Sequence, residues 1–181
     1  MLYQQNCLLY SYPIQRFYLF SESRLAATHH QNALMSFVKV WVHAVWGTKH
    51  REPVLSKEKR DVLFRHIKDN ALAKNIYIDC INGHLDHVHC LFELNAEIPL
   101  ATTLQLLKGE ASHWANKQNL FRRNLDWANE YFAVSVSESV VEKVRAYINQ
   151  QEEHHQKVTF QEEYELFLQK YGLRKDKQRH P

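Results

Sequence analysis

The stretch Gly83-His84-Leu85-Asp86-His87-Val88-His89-Cys90-Leu91-Phe92-Glu93 decides how the chain is read. On a strand, successive side chains point to opposite faces. Val88, Cys90 and Phe92, with Leu94 beyond them, make one apolar face and belong to a core. His87 and His89 then share the other face, their roots roughly 7 Å apart and their tips able to converge. Two neutral imidazoles so placed are half of a divalent-metal site. Taken alone, an H-x-H pair reads first as two polar residues on a wet strand face, and a chain with 12 histidines will contain such pairs by chance. His84 precedes the bend and has the wrong parity, which disfavours a three-histidine zinc site.

Working outward, residues 76–82 and 86–94 predict two strands joined through Gly83 as a hairpin. Upstream, residues 37–46 are rich in Val and Trp and predict a strand with Val38, Val40, Val42 and Ala44 on one face. Residues 48–53 are a loop. Ser56 suits the N-cap of a helix running to about Lys74, with Val62, Leu63, Phe64 and Ile67 inward. Pro99 suits the first turn of a second helix to about Lys117, carrying Leu100, Leu104, Leu107, Ala111 and Trp114. Residues 131–136 predict a fourth strand. Ser137 can cap a helix over 138–155 with Val141, Val144 and Ile148 on its apolar stripe, and a short helix over 160–171 ends at Gly172. The order β-α-β-β-α-β followed by helices predicts an α+β, ferredoxin-like (RRM-like) antiparallel sheet with two helices on one face. The other face is left free for chemistry or nucleic acid.

The 181 residues fit one domain, and 45% hydrophobic with 24% charged residues is a globular balance. The four glycines, Gly47, Gly83, Gly109 and Gly172, allow neither G-x-G-x-x-G nor a Walker loop, which excludes nucleotide-cofactor chemistry of those kinds. No apolar run is long enough for a membrane span. Cys7, Cys80 and Cys90 show no C-x-x-C spacing and argue for a reducing cytoplasm. The net charge is only +3, but residues 39–74 hold nine Lys/Arg against four acids, enough for a basic face or an ordinary solvated helix. Residues 1–34 hold no lysine, four tyrosines and no periodicity, and lack the pattern of a signal peptide. The expectation is an N-terminal extension over 1–34 with Met35 as the natural start, or else an arm that packs on the domain or on a partner subunit. The domain then covers 35–172, and 173–181 is a basic tail.

A second segment is Tyr147-Ile148-Asn149-Gln150-Gln151-Glu152-Glu153-His154-His155. Tyr147 and Gln151 are i and i+4, neighbours on one helix face beside the apolar stripe. A phenol beside a metal-bound phosphate can act as a covalent nucleophile, and Gln151 could lend its carbonyl oxygen to the metal. Alone, this segment reads as a half-buried aromatic and a solvated glutamine.

Together the two segments resemble the single-tyrosine HUH (His–hydrophobic–His) transposases of small bacterial insertion sequences, which move as single strands and are related to the REP-associated tyrosine transposases. The resemblance runs from about Phe37 to Gly172. It includes Thr48-Lys49 with Arg51, Asn82-Gly83 with Asp86-His87-Val88-His89, and Leu107-Lys108-Gly109-Glu110 with Trp114. It continues through Ser135-Val136-Ser137 to Tyr147-Ile148, Gln151 and His154-His155. Gln151 with His154-His155 favours the insertion-sequence branch over the REP-associated one. The pattern departs at Glu130-Tyr131-Phe132-Ala133, where a glycine-bearing turn is expected.

The resemblance implies that Tyr147 attacks a DNA phosphate to give a 5′-phosphotyrosine and a free 3′-OH. It makes His87, His89 and Gln151 ligands of a divalent metal, Mg2+ or Mn2+. It places Lys49, Arg51 and Lys108 against DNA. It also implies a cytoplasmic, nucleoid-associated homodimer that recognises hairpins near the ends of the element and whose tyrosine helix can complete the partner's site. The rival readings are another HUH endonuclease (a replication initiator or relaxase) and a domesticated module that binds nucleic acid without cutting.

Overall fold

Seven consecutive residues of the first strand, β1 (Trp41–Gly47), are buried, as a central strand covered on both faces requires. This computed structural model describes residues 37–173; the expectations for 1–34 and for 174–181 lie outside the described residues. Three further strands, β2 (Tyr77–Gly83), β3 (His87–Glu93) and β4 (Phe132–Val136), complete a sheet of order β2-β3-β1-β4. Every pairing in it is antiparallel. Helices α1 (Lys57–Ala73) and α2 (Leu100–Lys117) cross over on one face. Val42, Ala44 and Trp46 of β1 and Val88, Cys90 and Phe92 of β3 meet Leu63, Ile67, Leu104 and Ala111 there in the main core. This is the ferredoxin-like β-α-β-β-α-β plan, with the strand parity that the sequence predicts.

The first strand starts at Trp41, later than expected from the Val-rich run. Trp41 pairs with Glu93 and Val136, the last residues of both neighbouring strands, so residues 37–40 have little ladder left to join. Phe37 is accordingly 87% exposed.

The second sheet face is covered, contrary to the expectation that it is free. Three helices follow β4 and lie over it: α3 (Val141–Asn149), α4 (Gln151–His154) and α5 (Phe160–Lys170). Val141 and Ile148 of α3 bury Trp41, Cys80 and Leu91, and Phe160 of α5 packs with Val45 and Phe132. The single helix expected over 138–155 is also broken. A 3-10 turn, Glu138–Val140, precedes α3, and Gln150 (φ −93°, ψ 15°) separates α3 from α4. The break has a cause on β2: Asn82 Nδ2 donates to the carbonyls of Ile148 (2.9 Å) and Asn149 (3.2 Å), capping the end of α3 from the sheet. Arg145 fixes the same helix by a two-pronged bond to Asp79, 2.8 and 2.9 Å.

Gly83 closes the β2–β3 hairpin that carries both histidines. A Cβ there would sit 2.1 Å from the His87 carbonyl oxygen, which already accepts from His84 N at 3.1 Å. Gly83→Ala is therefore expected to destabilise by about 2–3 kcal/mol, as backbone must move to make room. A urea midpoint unchanged from wild type would show that the hairpin yields freely. Among the described residues, no helix is long and apolar enough to cross a membrane.

Candidate active site

The alternation of β3 aims His87 and His89 away from the main core, as read from the sequence, but α5 then buries both completely. The last helix begins with a reciprocal cap in which Thr159 and Glu162 bond each other's backbone N–H. One residue later, Glu163 points inward with 2% exposure. Its carboxylate is the hub of the site. Tyr147 Oη donates to Glu163 Oε1, and His154 Nε2 lies 3.4 Å from the same oxygen. Glu163 Oε2 lies 3.4 Å from His89 Nε2, 3.4 Å from His155 Nε2 and 4.0 Å from His87 Nε2. The Tyr147 ring stands edge-on to His89 at 5.7 Å.

One donor atom from each of His87, His89, His155 and Glu163 falls within 4.8 Å of the other three. Three buried atoms of this cluster, His87 Nε2, His89 Nε2 and Glu163 Oε2, and Nε2 of the neighbouring His154 make no hydrogen bond of good geometry among the described residues. Several unsatisfied donors and acceptors in one place are costly unless something else binds them. Imidazole nitrogens with a carboxylate oxygen suit a divalent cation, so the residues fit the metal that the resemblance implies.

The placement differs from expectation at Gln151. Its side chain is buried, with Oε1 3.0 Å from His155 Nε2 and Nε2 3.4 Å from the Tyr147 carbonyl, while His155 Nδ1 donates to the Val158 carbonyl at 2.8 Å. The oxygen expected on the metal lies against the His155 ring rather than beside His87 and His89. The break at Gln150 is the reason, since it removes the straight i, i+4 geometry. His155 and Glu163 are the converging groups that the sequence reading did not assign. Glu163 left one signal: with Phe160 and Phe167 it stands at i, i+3 and i+7, an acid on an aromatic stripe.

The three basic residues also have structural occupations. Lys49 Nζ is 2.8 Å from Asp126 Oδ2 on the surface. Lys108 Nζ donates to the carbonyls of Ala128 (2.7 Å) and Asn129 (3.3 Å), which ties α2 to the loop before β4. His50 and Arg51 both take positive φ (55° and 59°), a strained turn that lays the Arg51 guanidinium 3.7 Å from the Phe160 ring centre. Phe160 in turn stacks flat on His87 at 4.1 Å.

Burial sets the charges. It pushes the Glu163 carboxyl up from 4.5 to about 8, helped by the negative charge of Asp86. It drives His89 well below its ordinary value, and His43 and His155 down to about 4, so these imidazoles keep their lone pairs. For Asp86, burial raises the carboxyl but the bond from His87 and nearby positive charge outweigh it, and the group stays ionised below its usual range. The linkage follows for the metal-free chain. Raised Glu163 binds a proton in the folded state between 4.5 and about 8, so its contribution falls as pH rises through that window. Lowered His43 and His155 act oppositely between about 4 and 6.5, where the unfolded chain holds the extra protons. Thermal melts in EDTA should therefore show stability rising toward pH 6.5 and declining from there to 8. Glu163→Gln should flatten the decline, and a wild-type midpoint still climbing from 6.5 to 8 would contradict it.

The chain matches the family of IS200-like transposases over residues 36–151, so His155 and Glu163 lie just beyond the matched region. A comparison with curated proteins gives no match. Among solved structures, a provisionally assigned transposase from Deinococcus radiodurans R1 superposes with a TM-score of 0.52 at 21% identity, covering 70% of this chain and 98% of that one. A REP-associated tyrosine transposase solved with a REP hairpin gives a TM-score of 0.43 at 16% identity, covering 71% of this chain and 68% of that one. The first shares the fold described above.

Proposed function

Because the chain belongs to the IS200-like transposase family, we propose that it cuts and rejoins single-stranded DNA at the ends of an insertion sequence through a phosphotyrosine on Tyr147. The observation that carries this reading is the convergence of the Tyr147 hydroxyl with His87, His89 and His155 on one buried carboxylate. In the cleavage step, Tyr147 Oη forms a bond to phosphorus and the P–O3′ bond breaks. The phenolic proton ends on the leaving 3′-oxygen. Religation is the reverse, with a 3′-OH displacing the tyrosine, so no nucleotide cofactor is consumed. His87, His89, His155 and Glu163 would hold Mg2+ or Mn2+, with the Val158 carbonyl orienting His155 through its Nδ1–H. A cation there would polarise the phosphate and stabilise charge on the leaving oxygen.

His87 and His89 are fully buried beneath α5, so a strand reaches them only when α5 shifts off the sheet and takes Glu163 with it, which would leave the histidines to hold the cation against the phosphate. At that point Tyr147 exchanges Glu163 for the phosphate. We assign residues 35–172 as the transposase domain, hairpin ends as the recognised DNA form, and a cytoplasmic homodimer as the working species. Lys49 and Arg51 remain the proposed phosphate contacts, whereas Lys108 acts on the loop it already holds.

The test is incubation of the full chain with a 5′-labelled and a 3′-labelled single-stranded hairpin oligonucleotide and Mn2+. A denaturation-resistant adduct carrying the 3′ label, with release of the 5′-labelled fragment, is expected. Retention of the hairpin without any adduct would leave only the binding-module reading.

A further inference from the structure

The two histidines of β3 are oriented by different partners. His87 Nδ1 lies 2.8 Å from Asp86 Oδ1, so it donates there and leaves Nε2 facing Glu163. For His89 the corresponding atom, Nδ1, faces no carboxylate. It lies 3.2 Å from Nε2 of His43. His43 sits on β1 opposite Leu91, diagonal to His89 on the same sheet face, and is 3% exposed. The two rings stack at 5.4 Å with 25° between their planes. Phe167 and Tyr147 hold His43 edge-on at 5.9 and 6.3 Å, so its orientation is locked from two helices.

A histidine that binds a cation through one nitrogen needs its other nitrogen protonated and engaged, since that bond fixes both tautomer and ring angle. We propose that His43 is a positioning residue whose Nε2 accepts the Nδ1 proton of His89, which holds the His89 Nε2 lone pair toward the cation. The inference rests on the metal reading above, but it concerns a hydrogen bond that exists without metal. His43 then carries its own proton on Nδ1, and the contact to His89 is one donor on one acceptor. With a proton on Nε2 of His89 instead, the lone pair would turn to His43 and the cluster would lose a ligand.

Two measurements test it, neither needing DNA. The first is Mn2+ binding to the full chain by calorimetry. His43→Leu, which fills the space without an acceptor, should weaken Mn2+ binding about 10- to 100-fold. His43→Gln, whose side-chain oxygen falls near the lost Nε2, should bind close to wild type. Equal Mn2+ affinity in all three proteins overturns the proposal. The second is the nitrogen-15 spectrum of the imidazoles in metal-free wild type, where His89 should be protonated on Nδ1. A His89 protonated on Nε2 overturns the proposal even if His43→Leu fails to fold. Wild type that shows the Nδ1 tautomer but does not bind Mn2+ supports the hydrogen bond while removing the metal reading.

Discussion

Tyr147→Phe protein is expected to form no covalent adduct with a single-stranded hairpin, a loss of order 10^4-fold or more, as when other covalent enzymes lose their nucleophile. The substitution removes one oxygen and keeps the ring. Contacts of that ring with His43, His89, His154 and Phe167 survive, so the packing of α3 on the sheet should persist. What is lost in the resting state is the bond to Glu163, worth about 1 kcal/mol net for a buried hydrogen bond. Hairpin affinity should barely change, because nucleic-acid binding draws mainly on phosphate contacts. Gel-shift and adduct assays on the same samples separate the two effects. Undiminished cleavage would move the nucleophile to another of the nine tyrosines. Loss of binding together with cleavage would mean that the phenol helps shape the DNA surface.

The sheet and the histidine pair were legible because strand parity is a local property. Val88, Cys90 and Phe92 can only face one way, and His87 and His89 are left on the other. The two crossover helices were equally plain from their apolar spacing. What stayed hidden depends on contacts between distant segments. Nothing near Gln150 announces a helix break, since the capping group is Asn82 on β2, 66 residues from the Ile148 carbonyl it binds. The covered second face was hidden because α5 reads as a short amphipathic helix whose docking partner is unspecified by its own residues. Glu163 was missed for the same reason: an acid in a helix of mixed charge looks solvated until Phe160 and Phe167 are seen to carry it inward. The partners that Lys108 holds in the folded chain, the Ala128 and Asn129 carbonyls, are likewise invisible in a side-chain pattern.

Mixing Tyr147→Phe protein with the His87→Ala/His89→Ala variant is expected to restore no cleavage. The family resemblance implies a tyrosine helix that can serve the partner's histidines, and the two arrangements predict opposite results. If sites are shared, each mixed dimer pairs the intact histidines of one subunit with the intact tyrosine of the other. Free subunit exchange at equal amounts would then return about a quarter of wild-type cleavage, since half the dimers are mixed and half their sites are whole. If each chain uses its own tyrosine, every site in the mixture lacks one component. The geometry favours the second case. The Tyr147 ring stands 5.7 Å from His89 of the same chain, and α3 is held on its own β2 by the Arg145–Asp79 fork and by Asn82. Only the turn from Ser137 to Val140 links it to β4. Since both histidines are fully buried, their removal opens space under α5, and the double variant must first show a cooperative melt; His89→Gln, which keeps more volume, replaces it otherwise. Recovery toward a quarter would mean that α3 leaves its own sheet for the partner's, with the Arg145–Asp79 fork re-formed between chains. In that event Arg145→Ala should weaken the recovered activity in the mixture, because the fork would then be an intersubunit contact.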